Sequence, residues 1–237
     1  MVRKERMATA LIDDLQTLSD GIQASGRLTA EAVTSATRAL VDWSAEAFES
    51  TLEAEDAVKD LYAGTDELVE SILVSHRVTE VQVRTILAAL HINRSLERAA
   101  HNAARVAHLA TPPPRRSLVD EAVIADALRA MGERAAEMVR TAVDTYERRD
   151  VNAARLLSAL DEMIDRENEK LSDTILSIEV NDPELRRWSS RMLFAGRWLE
   201  RIGDHAVNAA ERTTYMMTGP QPVAEPNALV ATPRNQR

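Results

Sequence analysis

The sequence predicts an all-α protein built as two tandem three-helix bundles, and three observations carry that prediction. Hydrophobic residues make up 45% of the 237, yet aromatics only 3%, with 7 Gly and 8 Pro, so helix formers abound and strand and turn material is scarce. Three consecutive prolines, Pro112 to Pro114, break the chain near its middle, where no helix can continue. Helix-start and carboxylate landmarks recur on either side of that break at nearly one spacing.

The first helix is predicted over about Arg3 to Val41, where Met7, Leu11, Leu15, Leu18 and Ile22 recur every three or four residues; Gly21 and Gly26 are candidate bends. Ser44 can accept from freed amides as the N-cap of a second helix reaching His76. Thr79 followed by Gln82 is a capping box that opens a third helix, ending near Leu109. The first bundle thus occupies 1–110, and "TPPPRR", 111–116, is an extended connector.

Ser117 with Asp120 can cap a fourth helix to about Glu147, and Asp150 a fifth to about Val180. Asp182-Pro183 starts a sixth, proline being preorganised for the first helical position, and Gly219 stops it. These three form the second bundle, 117–219. The tail, 220–237, has four prolines and few large apolar residues, and is expected to be disordered.

Charge narrows the function classes. With 29 basic against 38 acidic residues the formal net charge is −9, which gives no support to general binding of nucleic acid or anionic lipid and favours cations and basic protein surfaces. No stretch has the roughly 18–20 apolar residues that span a bilayer, and the N-terminal "MVRKERMATALIDDLQ" lacks the apolar core of a secretory signal. A soluble, cytoplasmic chain without membrane insertion is the expectation. Cysteine is absent, so thiolate catalysis and Cys-ligated zinc are excluded and any metal must use Asp, Glu, His, Asn or water.

The repeat locates the chemistry. Thr79 and Asp182 are 103 residues apart, as are the Leu-Glu-Arg motifs at Leu96 and Leu199, and the Asp-x-x-x-Asp pairs Asp56/Asp60 and Asp161/Asp165 are offset by 105. In the second half Glu200, Asp204, Asn208 and Glu211 form one helical stripe, in which like charges four apart repel by about 0.2–0.5 kcal/mol. Counted from the turn at Asp182, Asp165 lies 17 residues before and Glu200 18 after, which puts both at nearly one height in an antiparallel hairpin. Four carboxylates converging there must be protonated, solvated or bridged, and a hard cation with oxygen ligands resolves the repulsion most simply. Asn208 can add a carbonyl oxygen. Gly203, within the helix, marks a close approach by another helix or by an ion.

The first half departs from this pattern. His101 stands where Asp204 does, Arg105 where Asn208 does and His108 where Glu211 does, so a first-half set of Asp56, Asp60, Glu97 and His101 is expected to be a weakened or lost site, with Arg105 free to pair with Glu97. No Ser/His/acid arrangement and no Gly-rich phosphate loop stands out. Trp188 and Trp198 are read as helix-packing residues.

"LERIGDHAVNAAERTTYMMTG" resembles the Glu-Arg-Ile-Gly-Asp motif that ends the second half of PhoU proteins, and the likeness extends over about Arg3 to Gly219, including "ASGRL" in the first helix. The resemblance implies paired three-helix bundles with pseudo-twofold symmetry, commonly dimeric, that bind metal ions or clusters through Glu/Asp-x-x-x-Asp motifs, whether iron or another hard cation such as magnesium or manganese. It implies Glu200 and Asp204 as ligands with Asp161 and Asp165 opposite. It also implies a non-catalytic adaptor between a phosphate ABC transporter ATPase and a sensor histidine kinase, held at the inner membrane through those partners and damping the phosphate-starvation response. Two other readings compete: a metal-free acidic scaffold, and a di-iron enzyme, which wants Glu-x-x-His from each of two helices where this chain offers only Glu97 and His101 at a spacing of four.

Overall fold

The computed structural model describes residues 2–113, 121–178 and 182–219. Within them the chain forms α1 (Val2–Asp42), α2 (Ala45–Ser75), α3 (Glu80–His108), α4 (Glu121–Arg148), α5 (Val151–Leu176) and α6 (Pro183–Thr218). The expected cap at Ser117 and Asp120, part of the proline connector, the end of the fifth helix beyond 178 and the tail lie outside the described residues.

The caps act as the sequence predicts. Ser44 accepts from the Ala47 amide, Thr79 and Gln82 make the reciprocal box, and Asp150 accepts from the amides of Asn152 and Ala153. Asp182 accepts from Glu184 with Pro183 in the first turn, and Gly219 closes α6 at φ 75°. The corners before Ser44 and Asp150 are built alike, with Trp43 and Arg149 each at a positive φ, 53° and 55°. These two positions are 106 residues apart, as are the two caps. The repeat spacing is therefore 106 before each hairpin turn and 103 after it, because α2 runs longer than α5.

Three helices pack on one another in each half, and the halves meet through α1 on α4 and α3 on α6. A single core runs through both, from Ile22 and Leu40 of α1, Ile92 and Leu96 of α3 to Met131 and Met138 of α4 and Leu199 and Ile202 of α6. The proline run thus separates two repeats that share one interior, not two independent domains.

Gly26 does not bend α1, which is continuous. A Cβ at Gly26 would come within 2.2 Å of Val143 of α4, and one at Gly132 of α4 within 2.1 Å of Thr37 of α1. The two contacts lie eleven residues apart on each helix in opposite directions, so α1 and α4 are antiparallel and the repeat exchanges one contact for the other. Each glycine lets the partner's branched side chain reach the helix backbone.

Candidate metal centre

In the second half, α5 runs antiparallel to α6: Gly196 faces Asn168 and Leu171, and Gly203 faces Ile164 one heptad on. A Cβ at Gly203 would sit 3.2–3.3 Å from Met138 and Ile164, so this glycine seats α6 against both α4 and α5 beside Asp204. Of the two sequence explanations for Gly203, close helix packing is the one observed.

That packing brings the α5 and α6 carboxylates within electrostatic reach of one another. Asp161 is pushed up to about 6, first by burial and then by Asp165, Asp204 and Glu200. Asp165 is raised by burial and by Glu200 and Asp204, with Arg197 opposing. Asp204 is raised by burial and by Glu200, against Arg197 and Arg201. Glu200 has partners of its own: it accepts from Asn168 Nδ2 at 2.5 Å and pairs with Arg197. Sequence reasoning missed both. Asn168 reaches Glu200 because Gly196 leaves room; a Cβ there would come 2.6 Å from Asn168 Oδ1 and 2.8 Å from Leu171.

Gly196→Ala is therefore expected to cost about 1 kcal/mol net, overpacking outweighing the gain in helix propensity. Thermal melts should fall by about 2–4 °C. Asn168→Ala added to Gly196→Ala should cost nothing further, since the amide has already been displaced; full additivity would remove the Gly196–Asn168–Glu200 linkage.

Donor chemistry here suits a hard cation. The set is all oxygen, it carries more negative charge than Arg197 balances, and Asp161 Oδ1 and Asn168 Oδ1 are buried with no hydrogen-bond partner. Even so, among the described residues no three His, Asp or Glu side chains are gathered closely enough to hold one ion. Asn208 is exposed and lines the neighbouring α3–α6 cleft, and Glu211 is exposed.

The first half differs by one residue from the sequence expectation. The α2 carboxylate turned toward α3 is Glu55, only 7% exposed, which meets His101 Nδ1 at 2.9 Å and Lys59 Nζ at 3.1 Å. At the spacing of 106, Glu55 and Lys59 are the counterparts of Asp161 and Asp165. Asp56 is exposed and pairs with Lys59 at 3.2 Å, Asp60 is exposed, and Glu97 is half-buried beside Arg98 at 3.6 Å. The structure does not bring Asp56 and Asp60 together with Glu97 and His101. The cause is the longer α2, which makes the offset 106 rather than 105 and rotates the face by about 100°. Arg105 does not pair with Glu97; its guanidinium lies over Trp198 at 4.4 Å. His108 packs edge-on against Phe48.

The family model of the PhoU domain matches this chain twice, over residues 22–110 and 128–213. The chain belongs to the PhoU family. Among proteins similar to it, the phosphate-specific transport system accessory protein PhoU homolog of Pseudomonas aeruginosa is 26% identical over 206 residues, covering 87% of this chain and 84% of that one. The homolog of the same description from Zymomonas mobilis is 29% identical over 212 residues, covering 90% and 88%. The crystal structure of PhoU from P. aeruginosa superposes with a TM-score of 0.80 at 26% identity, over 88% of this chain and 99% of that one. The phosphate transport system regulatory protein PhoU from Streptococcus pneumoniae, at 21% identity and a TM-score of 0.78 over 89% and 98%, shows the shared fold. The two PhoU domain matches coincide with the two halves described above, so the internal repeat is a repeat of the family's own unit.

Proposed function

We propose that this PhoU-family chain is an accessory regulator of phosphate transport, an adaptor between a phosphate ABC transporter ATPase and a sensor histidine kinase that represses the starvation response when phosphate is plentiful. Supporting the first step are its relatives, named as accessory proteins of the phosphate-specific transport system and matched over most of their length. Among the described residues no helix is long and apolar enough to cross a membrane, so contact with a transporter runs through its protein subunits. Placement is cytoplasmic, at the inner membrane only through those partners, and the working unit is a homodimer. The protein is not an enzyme on this reading.

The second half would supply a cation site from Asp161, Asp165, Glu200 and Asp204, with Asn208 at its edge. A divalent cation there, iron, manganese or magnesium, neutralises the α5–α6 repulsion and joins the two helices. One observation carries this: a buried carboxylate oxygen without a partner, on an aspartate whose ionisation three neighbouring carboxylates oppose. In the first half the metal-free reading is favoured, because the Lys59 ammonium pairs with Glu55 and a His101 ring nitrogen already occupies its other contact.

The test has two arms. Untagged protein should carry or take up divalent metal by elemental analysis, and Glu200→Ala with Asp204→Ala should lower its affinity at least tenfold with unchanged helicity. Equal trace metal in both proteins would leave the acidic-scaffold reading standing. Separately, the phosphate-transport ATPase and a histidine kinase should co-purify with the chain from phosphate-rich cells. Recovery of neither sinks the adaptor role, whatever the metal result.

A further inference from the structure

The repeated Leu-Glu-Arg motif gives its glutamates to α3 and α6, but the metal reading leaves its arginines without a role. Arg98 and Arg201, counterparts at the spacing of 103, both line a cleft of about 590 Å³ between α3 and α6. Arg105 lies against Trp198 and Arg98 acts on His205, seven residues apart on each helix in opposite senses, so α3 and α6 are antiparallel and the two motifs approach from opposite walls. Arg94 and Arg105 extend the row along α3.

These cations are largely uncompensated. Among the described residues Arg94, Arg105 and Arg201 make no ion pair, and Arg98 has only its neighbour Glu97, at 3.6 Å. Among the described residues Asp161 and Asp204 are the carboxylates lining the cleft. A chain with a net charge of −9 thus concentrates four guanidinium groups around one concavity. The Trp198 ring carries two of the guanidinium groups, Arg105 at 4.4 Å and Arg201 at 5.2 Å, so both are placed before any ligand arrives.

Planar guanidinium groups with five donors each match the oxygens of a phosphoryl group in pairs. We propose that the α3–α6 cleft is an oxyanion site that takes a phosphoryl ligand, held between Arg98 and Arg201 and flanked by Arg94 and Arg105. The cleft exceeds a single phosphate ion, so a chain of two or three linked phosphoryl groups fills it better, lying away from Asp161 and Asp204. Such a chain has two sources, a free inorganic polyphosphate or the tail of a nucleoside triphosphate. The cleft shares Asp161, Asp204 and Asn208 with the proposed cation site, so phosphoryl binding through the arginines is separated from metal binding by testing it with chelator present.

Calorimetry at constant ionic strength with inorganic phosphate, tripolyphosphate and ATP should show saturable binding, tightest for tripolyphosphate or ATP, with a change in Trp emission. Equal affinity for these two identifies the phosphate chain as the recognised part, and tighter ATP binding identifies the nucleotide as the source. Arg98→Gln with Arg201→Gln should weaken binding at least tenfold, and the exposed pair Arg94→Gln with Arg105→Gln by several-fold without touching the core. Arg166→Gln, on the outer face of α5, should change nothing. No saturation with any of the three anions, or affinity unaltered in both double variants, overturns the proposal.

Discussion

Gly26→Ala combined with Gly132→Ala is expected to lower stability by about 3 kcal/mol, a fall of roughly 6–12 °C in melting temperature. On helix propensity alone the two changes should add about 2 kcal/mol of stability, since each replaces glycine in a helix interior. Packing reverses the sign. Each new methyl group meets a branched side chain whose own Cβ is already 2.8–3.0 Å away, so rotating Thr37 or Val143 does not relieve the clash and α1 must move off α4. Because that seam joins the two repeats within one core, the loss should appear in a single cooperative transition. Val143→Ala in the Gly26→Ala background should recover more than half of that position's loss, a coupling that two independent sites would not show. A melting temperature at or above wild type for the paired glycine variant would mean that the α1–α4 contact is looser than described.

Asp161→Asn should stabilise the metal-free protein at pH 7.5 by about 1–2 kcal/mol after allowance for solvent screening, or about 3–6 °C. Folding raises the Asp161 carboxyl from 3.8 to about 6, so the native state holds its proton more tightly than the unfolded chain does. Its favourable contribution is fully present below about pH 4, is lost as pH rises through 6, and above that the ionised group is a net liability. Asparagine keeps the shape and never ionises. Melts in chelator across pH 4–8 should therefore converge at the acid end and separate above 6. In the presence of a divalent cation the order should invert, because the variant lacks a ligand. Coincident curves at every pH would place Asp161 in a more solvated setting than its burial and neighbours imply.

Much of this architecture is legible in the sequence because it rests on local chemistry. Ser44, Thr79 with Gln82, Asp150, and Asp182 with Pro183 fix the helix starts through a single turn of backbone, and the structure places each as a cap. That Asp161, Asp165, Glu200 and Asp204 come within electrostatic reach of one another follows from counting along a hairpin. What the sequence hid is long-range. Glu55 rather than Asp56 faces α3 because helix length sets rotation, and one residue of offset turns a side chain onto another face. Asn168 finds Glu200 only where Gly196 admits it, and Gly26 looks like a bend until α4 is in place to press on it.

The Glu55–His101–Lys59 cluster has a further consequence for how the halves come apart. α2 and α5 are both flank helices that pack mainly within their own bundle, yet their inner acids are held differently. Around Glu55 the Lys59 ammonium and the His101 ring nitrogen are covalently part of the chain and always at hand, whereas around Asp161 acids face acids and the hold weakens as they ionise. Local opening should follow that gradient, with α5 exchanging its amide hydrogens sooner than α2 above neutral pH. Duplication has left one arm fastened and one arm adjustable, and α5 is the part of the molecule whose docking its ionic surroundings can tune.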